Sequence, residues 1–221
     1  MPPDLFRQLL FKDPLPPEYV AIYGEIEDWD TSLIEDMSEL FDWSSFNRDI
    51  SRWNTSRVTD MRDMFWNNSH FNQPIGGWDT SRATNMSGMF SYARSFNQPL
   101  GGWDVSQVTN MAHMFNGAVA FHQPIGGWDV RNVTDMSAMF CDTQTFNQPL
   151  GRWDVGRVTR MNHMFYSALA FNQPLERWDV GRVTRMDCMF CGARRFNQPL
   201  DRWDVRRVTD MEPIPPPGDR W

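Results

Sequence analysis

Lysine is almost missing from this chain: Lys12 is the only one, and every other basic residue is arginine. Cysteine is scarce, with three residues, the first at Cys141. Three in 221 residues do not make the disulfide framework that staples small secreted domains. No run approaches the roughly 18 apolar residues that a bilayer span needs. The first twenty residues carry no basic segment followed by a long apolar core, so no secretory signal is expected and the default compartment is intracellular. Catalytic signatures are missing as well: there is no P-loop, dinucleotide fingerprint or nucleophile elbow. The histidines (His70, His113, His122, His163) are tied to no Ser, Cys or carboxylate constellation. Neither enzyme activity nor a cofactor is expected.

What the chain has in excess is repetition. Six full copies of a 25-residue unit begin at Phe46, Phe71, Phe96, Phe121, Phe146 and Phe171. A degenerate copy at Ile26–Ser45 keeps Trp29, Asp30, Met37 and Phe41, and a partial copy runs from Phe196 to about Met211. The expected organisation is an N-terminal cap helix and proline-rich linker over 1–21, one repeat array over 22–211, and a proline-rich tail over 212–221. Within the cap, Asp4–Phe11 reads as a short amphipathic helix, with Leu5, Phe6, Leu9 and Leu10 on one side. The DPLPP stretch at Asp13–Pro17 breaks it.

The copy at Phe96–Ala120 shows how each unit parses. Met111, Met114, Phe115 and Ala118 fall at i, i+3, i+4 and i+7, which predicts a helix of about two turns, with Thr109 as its N-cap. Trp103 and Val105, two apart, predict a short strand with both side chains inward and Asp104 outward. Pro99 sets an extended approach to that strand. Asn97 belongs to a column (47, 72, 147, 172, 197, broken only by His122) that reads as an asparagine ladder satisfying backbone groups at the turn. The expected fold is an α/β repeat solenoid, a narrow parallel sheet on one face and short helices on the other, with Trp, Phe, Met and Leu/Ile columns as one core.

The pattern F-N-Q-P-L/I-x-x-W-D-V-x-x-V-T-x-M-x-x-M-F-x-x-A, over roughly residues 26–211, resembles the repeat of BspA family leucine-rich repeat surface proteins and of mycoplasma-type lipoproteins. The resemblance implies a leucine-rich-repeat-like, right-handed superhelix. It also implies a role in binding other macromolecules, including adhesion at a cell surface.

Surface chemistry concentrates in one column: Asn54, Asp79, Asp104, Asp129, Asp154, Asp179 and Asp204. Arg152, Arg177 and Arg202 lie two residues before the last three, where earlier copies have Gly77, Gly102 and Gly127. Two readings stand. In one the carboxylates accept from turn amides or pair with neighbouring arginines; in the other the column is a face that binds a partner protein. One carboxylate per repeat falls short of the 6–8 oxygens calcium takes. Cys188, Cys191 and His163 lack a fourth ligand for zinc, and Cys141 is two copies away, so no metal is expected.

Charge is uneven. Residues 1–50 carry 12 acidic and 3 basic side chains, whereas residues 146–211 carry 7 acidic and 11 basic. That gradient fits a protein partner of opposite charge, or head-to-tail association of two copies. The arginines include Arg157, Arg160, Arg182, Arg185, Arg194, Arg195, Arg206 and Arg207, which suit phosphate. The pI near 5.0 and the commitment of the aromatics to the core argue against nucleic acid.

Overall fold

The computed structural model describes residues 3–10 and 16–210. Phe11, the Asp13–Leu15 part of the proline-rich break, Met211 and the 212–221 tail lie outside the described residues. Helix α1 spans Pro3–Leu10 and α2 spans Pro17–Tyr23, followed by one 3-10 turn at Ile26–Asp28. From there to residue 210 the described chain is a stack of near-identical coils, one per sequence repeat.

The coils are joined in parallel. Isolated bridges link Asp36 to Asp60, then Asn85, Asn110, Asp135, Arg160, Arg185 and Asp210, each residue pairing with its equivalent one repeat on. The first step is 24 residues and the rest are 25, as the copies in the sequence dictate.

The expected helix in each unit is not there, and the hydrogen bonds say why. In the Met111–Ala118 segment, successive amides alternate between two targets. The N–H groups of Met111, His113, Phe115 and Gly117 donate to Asp135, Ser137, Met139 and Cys141 of the next coil, at 2.8–3.0 Å. Those of Met114, Asn116 and Ala118 donate three residues back, to Met111, His113 and Phe115. An α-helix would need every amide to donate four residues back. The backbone enters the left-handed region at His113 (φ 59) and Gly117 (φ 66), a pair repeated at Asp63 and Asn67, Gly88 and Tyr92, and Ala138 and Asp142. A positive φ at the third residue of an i→i+3 turn is the type II arrangement, and it interrupts a helix at every fourth residue. Thr109 is no helix cap either. Its N–H and its Oγ1 both donate to the Thr84 carbonyl, at 2.9 and 3.2 Å.

The expected strand fails for a related reason. The N–H groups of Trp103 and Val108 close turns onto Leu100 and Val105 in their own coil, so they do not pair across coils. Trp103 and Val105 do point inward, 4% and 1% exposed, and Asp104 points out. The side-chain alternation of a strand is present without its backbone ladder. The α/β, leucine-rich-repeat-like solenoid read from the sequence is therefore corrected. Among the described residues the only pairing between coils of strand type is the isolated bridge ladder, and no α-helix belongs to a repeat.

What holds the stack is its interior. Phe115 and Phe121 stack at 3.9 Å within one coil, Phe90 and Phe115 at 5.7 Å between coils, and Trp78 and Trp103 at 6.5 Å, all near parallel. Met111 and Met114 are fully buried beside them. Truncating such a methionine costs about 2–5 kcal/mol. At the N-terminal end, α1 lies on the first coils. Phe6 meets Trp29 and Trp53 edge-on at 5.7 and 5.4 Å, and Arg7 donates to the Ser38 carbonyl at 2.9 Å.

The asparagine column forms a ladder of a particular kind. Asn72 Oδ1 accepts the Asn97 N–H at 2.9 Å and the Gln98 side-chain amide at 3.1 Å. These bonds sit at an exposed turn rather than a buried one. At the break in the column, the His122 Nδ1 instead lies 3.0 Å from the Ala120 carbonyl.

Candidate functional site

The aspartate column occupies the tight turn after each core tryptophan, and every member works on its own backbone. Asp79 Oδ1 accepts from the Ser81 N–H at 3.0 Å and the Ser81 hydroxyl at 2.7 Å. Asp104 accepts from the Ser106 N–H at 2.9 Å, Asp154 from Gly156 at 3.1 Å and Asp179 from Gly181 at 3.0 Å. Asn54 does the same with Ser56, so an amide serves as well as a carboxylate. At Asp129 and Asp204 the residue two further on is arginine. Arg131 and Arg206 donate from both backbone and guanidinium, with Nε–Oδ1 distances of 2.8 Å. The Ser81, Arg131 and Arg206 hydrogen bonds hold the Asp79, Asp129 and Asp204 carboxyls below their usual range, Asp204 at about 2.

The arginine column behaves differently. Arg152, Arg177 and Arg202 are exposed, and among the described residues no ion pair engages them. The reason they are tolerated lies in the neighbouring glycines. A Cβ built at Gly127, the equivalent position one coil earlier than Arg152, meets nothing within 4 Å. The residue just before is the opposite case. A Cβ at Gly126 would stand 2.3 Å from the Pro149 carbonyl oxygen of the next coil. At Gly126 a side chain needs the next coil to shift, and the copies that carry Ser51, Glu176 and Asp201 at the equivalent position make that accommodation; the Gly127 position has open space.

Arg152 and Arg177 line a groove of about 680 Å³ with Pro124, Pro149, Pro174 and Glu176. Arg202, one coil further, is not among its lining residues. The sequence marks the arginines but gives no sign of the groove, because proline there reads only as a device for extending the chain.

The two ends of the charge gradient are less free than their sums suggest. Arg48 pairs with Glu25 at 2.9 Å and Glu27 at 2.7 Å, and Arg62 with Glu39 at 2.9 Å. Arg52 pairs with Asp28, and Arg57 with Glu35. The acidic head is thus bound to the arginines of the first full repeat. In the basic flank, Arg157 is held by Asn132, Arg160 by Asp135 and Arg185 by Asp210.

Cys141 and Cys191 are free thiols, and the described residues contain no cluster of three or more His, Cys, Asp or Glu that could hold a metal ion. His163 sits 3.6 Å from Asp187. Burial, and then Asp142 beside it, push the Cys141 thiol up to about 12. No helix among the described residues is long and apolar enough to cross a membrane.

The sequence matches the family described as Mycoplasma protein of unknown function, DUF285, over residues 17–127 and again over 115–214. The chain belongs to this family. The match carries the mycoplasma-type repeat, and it does not carry the BspA name. No curated protein matches the chain.

Proposed function

We propose that this member of the DUF285 repeat family is a non-enzymatic scaffold that binds a partner protein along its Asp/Arg face, with Arg152 and Arg177 as the anchoring charges. The observation that carries the reading is their state: two exposed guanidiniums, one coil apart and without ion-pair partners among the described residues, line one groove with three prolines. Arginine presents a rigid fork of donors to carboxylates, and rigid proline walls add apolar contact at little entropic cost. The partner segment is therefore extended and acidic. The Asp column supports the turns, and its role in the interface is to keep that face fixed. Arg202 continues the cationic row one coil on.

The test is titration of a fluorescent Glu-rich decapeptide with the intact protein at low and high salt. Binding that weakens as salt rises, and that falls at least tenfold in Arg152→Ala/Arg177→Ala, supports the reading. Equal binding by the double variant contradicts it. Protease treatment of intact cells, followed by detection of the chain, separates a scaffold inside the cell from an adhesin on its surface.

A further inference from the structure

A second groove, sharing no residue with the first, crosses the turn segments of five successive coils from Asp63 to Arg160. Its volume is about 420 Å³, within the range of small-molecule sites. At about 4.8 Å per coil its length is roughly 19 Å. Trp66 and Tyr92 supply aromatic surface at one end, and polar groups line the rest.

One buried polar atom among the groove's lining residues is left without a partner. Asn116 is 9% exposed, and its Oδ1 has no hydrogen-bond partner. A buried amide oxygen in that state costs stability unless the side chain turns to meet a donor entering the groove. Asp63 is half-buried, with its carboxyl pushed above the usual range by burial; its nearest cation, Arg62, stands at 3.9 Å. Burial lowers the His113 imidazole, with Asp135 acting against it, which leaves a ring that donates at one nitrogen and accepts at the other. Asp135 is already committed to Arg160 at 3.2 Å, so those two charges cancel.

Two glycines, Gly88 in the groove and Gly117 beneath Tyr92, make room for lining side chains. A Cβ at Gly88 would come within 1.8 Å of the Asp63 carboxylate, and one at Gly117 within 2.5 Å of the Tyr92 ring. Both sit at positive φ, so these two side chains lie down over bare backbone.

We propose that this groove binds a short neutral oligosaccharide. Paired donors and acceptors suit vicinal hydroxyls, which both give and take hydrogen bonds. Trp66 and Tyr92 suit the apolar faces of pyranose rings, being apolar bodies with a polar handle. The near balance of charge in the groove selects against strongly ionic ligands. Neither an acidic peptide nor a phosphate finds an unpaired cation there, since Arg160 is spent on Asp135.

The experiment is an array of neutral and acidic glycans probed with the full chain, followed by calorimetric titration of the best neutral binder. Trp66→Ala, Asn116→Ala and, as a control at an exposed position of α2, Glu18→Gln serve as variants. The expected result is binding to a neutral saccharide that weakens at least tenfold in Trp66→Ala and Asn116→Ala and is unchanged in Glu18→Gln. Asn116→Ala should at the same time keep or raise the melting temperature, because it removes an unpartnered buried group. A merely structural asparagine would lower both. No binding to any neutral glycan, binding to acidic glycans alone, or equal binding by the Asn116 and Trp66 variants would overturn the proposal.

Discussion

The indole N–H of Trp103 donates to the backbone carbonyl of Ile75, 28 residues earlier, at 3.1 Å in a fully dry setting. The same bond joins Trp78 to Ile50, Trp128 to Leu100, Trp153 to Ile125, Trp178 to Leu150 and Trp203 to Leu175, at 3.0–3.2 Å. Each of these carbonyls also accepts the turn N–H of its own coil, as Leu100 does from Trp103 at 3.0 Å, so the indole is a second donor that ties one coil to the next. Replacing Trp128 by Phe removes the second donor on the Leu100 carbonyl and should cost about 0.5–1.5 kcal/mol beyond the lost volume. Urea denaturation measures it; a loss no larger than that of an exposed Trp43→Phe control would refute the role.

Adjacent glycines make a sharper comparison. Gly126→Ala forces a methyl against the Pro149 carbonyl and should destabilise by about 1–3 kcal/mol. Gly127→Ala meets open space and should lie within about 0.5 kcal/mol of the parent. Thermal melts of the two variants decide; equal melting temperatures would contradict the close approach.

Acid should loosen the turns. The Asp79, Asp129 and Asp204 carboxyls are held below their unfolded values by hydrogen bonds to Ser81, Arg131 and Arg206. Groups depressed in the folded state contribute stability above the unfolded value near 4, and that contribution is lost as pH falls toward about 2. Asn54 shows that an amide can hold the same turn. Asp79→Asn combined with Asp129→Asn should therefore flatten the fall in stability between pH 4 and pH 2, followed by circular dichroism. An unchanged acid transition would remove the carboxylates from the account.

Cys141 should be inert. A thiol pushed to about 12 holds almost no thiolate at pH 8, and thiolate is the nucleophile. Iodoacetamide should label it far more slowly in the native protein than in urea, read by peptide mass spectrometry. Equal rates would contradict its burial.

Much of this was legible in the residues. The 25-residue step, the inward Trp103, Val105, Met111, Met114 and Phe115, and the outward Asp104 all stand as the pattern predicts. The backbone conformation does not. A spacing of i, i+3, i+4 and i+7 selects one face of a helix, but turns that close every three residues while alternate amides serve the next coil bury those same four positions. Nothing in M-A-H-M-F distinguishes the two, because the positive φ falls on Asp63, His113, Ala138 and Cys188, and on glycine in that column only at Gly88. The grooves escaped for a different reason. Asn116, Tyr92 and Trp66 occupy columns that vary between copies, and only stacking brings them together.

The central claim is that Arg152 and Arg177, with Arg202 continuing their row, anchor a protein partner. Affinity purification of the tagged chain from native cells, with quantitative mass spectrometry, should be run beside the Arg152→Ala/Arg177→Ala/Arg202→Ala variant. The account predicts that a partner with an acidic extended segment is recovered with the parent and depleted at least tenfold with the variant, at an unchanged melting temperature. Full recovery of the same partner by the variant would contradict it.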